Sequence, residues 1–219
     1  MNISERLKND ATHIWKKIYQ HPFVTELYDG TLPEKKFRFY VLHDYNYLTA
    51  SIRNFSLLSA KTENDMNMRE LLEIAKLEAT GEFKGYKEFL KKMGISIEKA
   101  VNTEKTFIEI SYESFLFSTS LIKSFAEGIT AVLPCYWSYS EIAKTHRNKL
   151  KNNRNKLYQE WASFYLEKDY LKLVKKIKDI VDKIGANSPY EKLTKVFKTS
   201  SKYEYLFWDS VYRMESWPV

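Results

Sequence analysis

The stretch that decides the fold runs from Pro33 to Ala60, PEKKFRFYVLHDYNYLTASIRNFSLLSA. Read at 3.6 residues per turn, Phe37, Tyr40, Val41, Asp44, Tyr47, Leu48, Ser51 and Phe55 fall on one face. That spacing predicts one long helix from Pro33 to about Ala60, with Pro33 suited to its first position because the φ of proline is already helical. Outward from this helix the same period recurs. Leu7, Ala11, Ile14, Trp15 and Ile18 repeat at helical spacing behind Ser4, a candidate cap, and Pro22 suits a second helix start. Further helices are expected at about 64–80, 82–93, 103–125, 127–149, 154–167, 169–184, 189–198 and 202–215, with Gly81, Gly94 and Gly185 where C-terminal caps belong.

Composition agrees with an all-α class. The 219 residues include 6 Gly and 5 Pro, too few for the many tight turns of a β-sandwich or barrel. No GxGxxG and no GxxxxGK[ST] occurs, which excludes glycine-rich phosphate loops. No repeat, low-complexity tract or long linker divides the chain, so one domain over 1–219 is expected. The only cysteine, Cys135, leaves no internal disulfide or zinc clip. The N-terminus carries Glu5, Arg6, Lys8 and Asp10 without an apolar core, and the longest uncharged stretch, Gly128 to Ser140, is too short to span a bilayer. A cytoplasmic protein that does not enter membranes is the expectation.

The net charge of +7 is unevenly placed: Lys144 to Lys202 holds sixteen Lys and Arg against six Asp and Glu. One reading is a nucleic-acid-associated regulatory protein that uses this basic segment. The simpler reading is a solvated helix face, because the lysines recur between Leu171, Leu173, Val174, Ile177 and Val181. No helix-turn-helix or RNA-binding signature accompanies them.

Three positions break the pattern. Asp44 sets a carboxylate in the middle of an apolar stripe, where it is costly unless paired or hydrogen-bonded; an internal salt bridge, a hydrogen bond to a tyrosine and a place in the lining of a polar cavity are all open. Cys135 follows Pro134, which cannot donate a helical hydrogen bond and is expected to kink its helix and make room beside the thiol. The alternative there is an inert small core residue. Glu204 stands in Ser201-Lys-Tyr-Glu204, which has the form of a capping box, as does Ser188-Pro-Tyr-Glu191. The histidines, His13, His21, His43 and His146, form neither HExxH nor ExxH, so no metal site is expected. Sixteen tyrosines are many for such a core. Tyr47, Tyr112, Tyr136 and Tyr139 fit a pocket that holds a flat heteroaromatic ligand, or an ordinary aromatic core.

The three breaks coincide with a family resemblance. The matching stretches are His21-Pro-Phe-Val with Leu27 and Gly30, Phe39 through Leu48, Leu133-Pro-Cys-Tyr-Trp with Tyr139 and Glu141-Ile, Trp161 with Tyr165, and Tyr203-Glu-Tyr-Leu-Phe-Trp208. In these the chain resembles the thiaminase II (TenA-type) family over nearly its whole length. Two departures stand beside the matches: His43 where glutamine is expected, and Ala143 where glycine is favoured. The resemblance implies an all-helical, haem-oxygenase-like fold with no cofactor, no metal and no nucleic-acid partner, assembled as a homotetramer. It implies hydrolysis of 4-amino-5-aminomethyl-2-methylpyrimidine, or of thiamine, to the hydroxymethylpyrimidine in thiamine salvage. On it, Cys135 is the nucleophile, Asp44 binds the exocyclic amino group, and Glu204 protonates a ring nitrogen. Tyr47, Tyr112, Tyr139, Tyr165 and Phe207 line the substrate pocket. A haem-oxygenase-like oxidase using His13 or His21 is the remaining alternative.

Overall fold

The computed structural model describes the backbone of residues 1–219 and the side chains of all but residues 81–84. The expected long helix is present as α4, Glu34–Lys61, with Pro33 one position earlier than expected, at the N-cap. It is preceded by α1 (Ile3–Asp10), α2 (Thr12–Tyr19) and α3 (Pro22–Asp29). It is followed by α5 (Asp65–Leu77), a π-helical segment (Glu78–Glu82), α6 (Phe83–Lys92), α7 (Ile97–Val101) and α8 (Phe107–Ile122). The chain closes with α9 (Phe125–Leu150), α10 (Lys156–Phe164), α11 (Lys168–Gly185) and α12 (Tyr190–Arg213). No strand occurs among the described residues, and no helix there is long and apolar enough to cross a membrane.

Four of these helices, α4, α8, α9 and α12, pack each against the other three. Helix α9 is the centre of the group: from Ala126 to Ala143 nearly every side chain is buried. Gly128 permits that closeness, since a Cβ there would stand 2.6 Å from Leu58 Cδ2 on α4 and 3.3 Å from the Ser120 backbone on α8. Around the four, α2 covers α9 and α12, and α11 covers α9.

Several local expectations are corrected. The first amphipathic run is two helices, broken at Ala11, and Ser4 lies inside α1, where its backbone N–H donates to Asp182 Oδ1. Neither expected capping box forms. Pro189 is the N-cap of α12 without a side-chain bond, and Ser188 donates instead to the Ile184 carbonyl. The helices expected at 189–198 and 202–215 are one helix, α12, so Ser201 and Glu204 are interior residues with no free helix start to cap. The capping boxes that do form are Thr106 with Glu109 and Ser124 with Glu127. Helix α9 runs unbroken through Pro134, which withholds one intrahelical N–H from the Thr130 carbonyl. Gly94 has the positive φ of a cap, Gly185 is instead the last residue of α11, and Gly81 lies within the π-helical segment, which runs straight into α6, and caps no helix.

Candidate active site

The stripe on α4 places Asp44, Tyr47 and Ser51 on one face by their spacing of three and four residues. Asp44 is buried and forms no ion pair among the described residues. The hydroxyl of Tyr86, from α6, stands 3.1 Å from its Oδ2 and 2.8 Å from the Val41 carbonyl, with one proton to share between them. The Tyr40 hydroxyl also faces Asp44, outside hydrogen-bond geometry. Burial pushes the Asp44 carboxyl up to about 7, the nearby Tyr40 and Tyr86 hydroxyls oppose this, and the Glu109 charge adds to it. Of the readings of Asp44, the tyrosine hydrogen bond is the one observed, and Asp44 is not among the residues that line the cavity described below.

Helix α9 carries Cys135, Ser138 and Tyr139, and α12 carries Ser200, Glu204 and Phe207, one or two turns apart. The two helices meet along these faces. Glu204 accepts from the Tyr112 hydroxyl of α8 at 2.6 Å and from Ser138 at 3.4 Å. Tyr112 is in turn 2.9 Å from Ser200. The Cys135 thiol lies beside Glu204 and the Tyr47 hydroxyl, close enough for each to shift its ionisation. Burial raises Glu204 to about 7, against the pull of Tyr112 and Ser138. Burial, then the Glu204 charge, raises the Cys135 thiol well above its ordinary value. The site at rest therefore holds a neutral thiol beside a carboxylate that can take or give a proton near neutral pH.

Aromatic rings close the space. Tyr47 stacks on Tyr112 with ring centres 5.7 Å apart, and Tyr112 on Tyr203 at 5.1 Å. Tyr139 packs 4.8 Å from Tyr165, at the end of α10, and 5.1 Å from Trp208. Phe207 reaches the group through Tyr40, 6.0 Å away. The eight residues singled out by resemblance thus come from five segments and gather on one interior region.

The sequence reading missed other members. Glu78, Tyr86, Ser138 and Ser200 bond within or beside the cluster. Glu78 was legible by the same test as Asp44: it extends the buried stripe Leu71, Ile74, Ala75 by three residues. Tyr136 hydroxyl and Ser51 both donate to it. His43, one of the two departures, has a partner in Glu109, with Nδ1 and Oε2 2.5 Å apart. Glu109 Oε2 also accepts the Thr106 N–H at 2.7 Å, which straps α4 to the start of α8. Outside the inner cluster lies a cavity of about 370 Å³ whose lining includes Glu78, Tyr86, Trp161, Tyr165 and Tyr170. Of the residues expected to line a pocket, Tyr165 alone is among those at this cavity; the others sit further in. In the basic segment, Lys144, Lys149, Lys172, Lys175 and Lys178 each pair with a carboxylate.

The all-helical arrangement of these elements is that of the haem-oxygenase-like fold. In that class the chain is similar to a domain of unknown function with a heme oxygenase-like fold from Shewanella denitrificans OS217 (TM-score 0.78, 12% identity, 96% of this chain and 92% of that one). The chain belongs to the TENA/THI-4/PQQC family, whose model matches residues 8–214. It is 43% identical to a TenA homologue protein from P. horikoshii OT3, with a TM-score of 0.94 over 98% of this chain and 100% of that one. It is 30% identical over 216 residues to the aminopyrimidine aminohydrolase of Helicobacter pylori, covering 97% of this chain and 100% of the relative.

Proposed function

We infer that the protein is an aminopyrimidine aminohydrolase of thiamine salvage, converting 4-amino-5-aminomethyl-2-methylpyrimidine to the 5-hydroxymethyl compound by covalent catalysis at Cys135. The observation that carries the reading is the placing of the Cys135 thiol beside Glu204, a buried carboxylate raised to about 7, in a chain of this family. Asp44 accepts from the exocyclic amino group, and Glu204 faces the ring nitrogen beside the carbon attacked. The rings of Tyr47, Tyr112, Tyr139, Tyr165 and Phe207 form the walls of the slot.

Direct displacement at the methylene carbon is hard while the ring is aromatic. Glu204 takes the thiol proton and delivers it to the ring nitrogen as sulfur bonds to the adjacent carbon. Aromaticity is lost, and the amino group, polarised by Asp44, pushes electrons through the ring to expel the leaving group. Water then adds to the exocyclic methylene, the carbon–sulfur bond breaks, and the proton returns to sulfur. One hard step becomes two easier ones. Holding the thiol neutral until substrate arrives guards it from side reactions, since the thiolate is the reactive form.

The test is Cys135→Ala, with product measured by chromatography and folding by circular dichroism. A folded variant with under about a thousandth of wild-type turnover is expected, and one keeping a tenth or more excludes covalent catalysis. Thiamine as a second substrate is tested by the same assay. A cytoplasmic homotetramer is part of the proposal. Phe107, Ile110, Leu121 and Ile122 of α8 and Ile97 and Val101 of α7 are exposed apolar residues that neighbouring copies would cover. Light scattering should then give about four times 26.0 kDa, and a monomer refutes the assembly.

A further inference from the structure

His43 and Glu109 form a buried pair that the reaction described above leaves without a task. Both are nearly sealed from solvent, His43 being 3% and Glu109 2% exposed. His43 Nδ1 stands 2.5 Å from Glu109 Oε2, the same oxygen that accepts the Thr106 N–H. Glu109 Oε1 is buried with no hydrogen-bond partner among the described residues. A carboxylate taken out of water with one oxygen unmet adds little net stability, because desolvation offsets most of the attraction within the pair. Apolar side chains of the same size hold two helices together about as well. What they do not do is fix one register, which is the best-attested use of a buried polar pair.

The site depends on that register. His43 and Tyr47 are one turn apart on α4, as Glu109 and Tyr112 are on α8. The pair and the stacked rings of Tyr47 and Tyr112 are therefore successive rungs between the same two helices. Near the far end of α4, Lys61 donates to the Ser120 and Leu121 carbonyls in the last turn of α8, so the helices run side by side in one direction. From the second rung both hydroxyls enter the proposed machinery. Tyr112 donates to Glu204 Oε1 at 2.6 Å, and Tyr47 lies beside the Cys135 thiol. Stacked rings can slide over one another at small cost, since each atomic contact between them is weak, whereas a misplacement of about 1 Å at a reacting group can cost roughly a hundredfold in rate. The polar rung one turn earlier supplies the precision that the rings lack.

We propose that His43 and Glu109 are positioning residues for the hydrolysis: their bond fixes the register of α8 on α4, and through it the Tyr112 hydroxyl on Glu204 and the Tyr47 hydroxyl beside Cys135. Neither takes part in making or breaking a bond of the substrate. The group they act on is Glu204. Its hydrogen bonds from Tyr112 and Ser138 hold the carboxyl down against its burial. The ionisable groups that face it are Asp44 and Tyr47 of α4, Tyr112 of α8, and Cys135 and Tyr139 of α9. When the register slips, Glu204 loses the Tyr112 donor while it stays enclosed, and it should keep its proton to higher pH. A general loosening acts in the other direction: water enters, burial lessens, and the carboxyl falls from about 7 toward its ordinary 4.5.

The proposal rests on the aminohydrolase reading, and the test separates the two. The double variant His43→Phe with Glu109→Gln removes the tie between the helices. Glutamine keeps an oxygen for the Thr106 N–H, and phenylalanine keeps a ring against Phe39, whose centre lies 4.1 Å from that of His43. His43→Asn is the rescue, because its amide N–H stands as far along the side chain as Nδ1 and can donate to Glu109. Infrared titration follows the carbonyl stretch of the protonated Glu204 carboxyl, assigned by its absence from Glu204→Gln, and needs no substrate. The double variant should keep native circular dichroism and lose about tenfold or more in kcat for 4-amino-5-aminomethyl-2-methylpyrimidine at pH 7. Its Glu204 midpoint should rise by about half a pH unit or more, as for a weakened hydrogen bond to a charged group. His43→Asn should stay within about threefold of wild-type kcat and keep the wild-type midpoint. A double variant that retains wild-type kcat, or whose midpoint stays or falls, overturns the proposal. So does a His43→Asn variant as slow as the double one, or a double variant that does not fold, which would make the pair a strut of the whole fold. If the wild-type protein shows no hydrolysis, the aminohydrolase reading has failed, and the midpoints alone still decide whether the pair places Tyr112 on Glu204.

Discussion

Replacing Glu204 by glutamine separates chemistry from folding with one oxygen-to-nitrogen change. Glutamine keeps an acceptor for the Tyr112 hydroxyl, which stands 2.6 Å from Oε1, and keeps the side-chain length that α12 aims between α8 and α9. It cannot carry a proton from thiol to ring. Loss of a positioned general acid or base costs roughly 10²–10⁴ in rate, so turnover should fall at least a hundredfold. Stability should move the other way. Burial raises the Glu204 carboxyl from 4.5 to about 7, so the folded state binds its proton more tightly than the unfolded chain. The protonated, favourable state is fully present below about pH 4.5 and is lost as pH rises through about 7. Above that the ionised carboxylate costs the fold about 3 kcal/mol, at roughly 1.4 kcal/mol per pKa unit. Glutamine never bears that cost. Thermal melts of both proteins should therefore show a gap in favour of Glu204→Gln that widens from pH 5 to pH 8.5. Full activity in Glu204→Gln would remove it as the proton carrier, and a gap independent of pH would show that the buried carboxylate does not titrate in this range.

Asp44→Asn should lower kcat/KM for the aminopyrimidine by about 10–150-fold, the range of a buried hydrogen bond to a charged group of roughly 1.5–3 kcal/mol; steady-state kinetics decide it, and altered stability with unchanged kinetics would make Asp44 purely structural. Gly30→Ala should destabilise without touching chemistry. Gly30 has φ +79°, and a Cβ there would stand 2.7 Å from Asn153 Oδ1, whose amide group donates to the Leu27 and Tyr28 carbonyls. About 2 kcal/mol is expected from the left-handed backbone and the displaced amide, a Tm lower by roughly 4–8 °C with kcat unchanged.

The fold was legible because it is a pattern of burial. A stripe such as Phe37, Tyr40, Val41 and Phe55 has one economical solution, and α4 adopts it. Helix ends were less legible, because several sequences can cap and the rest of the molecule chooses among them. Ser188 and Ser201 have the spacing of a capping box as clearly as Ser124 does, yet Ser188 falls one residue before the N-cap of α12 and Ser201 lies inside that helix, whereas Ser124 is itself an N-cap. Local spacing carries no information on whether a turn precedes it.

That uncertainty about Glu204 was also the uncertainty about function. As a cap it would bond a backbone amide and face the helix end; inside α12 its carboxylate has no such duty and is met instead by Tyr112, Ser138 and the Cys135 thiol. Those partners lie 66 to 92 residues away in sequence, a distance that no motif short of a family pattern spans. Glu78 shows the opposite case. Nothing in the resemblance marks it, but a carboxylate continuing the stripe of Leu71 and Ile74 is as expensive there as Asp44 is in α4. The cost of burying a carboxylate is therefore the more general signal. It points to Asp44, Glu78, Glu109 and Glu204 alike, and their partners then divide them: a strap in which Glu109 binds His43 and the first turn of α8, two that meet the pyrimidine in the proposed reaction, and Glu78, held by Tyr136, the neighbour of Cys135.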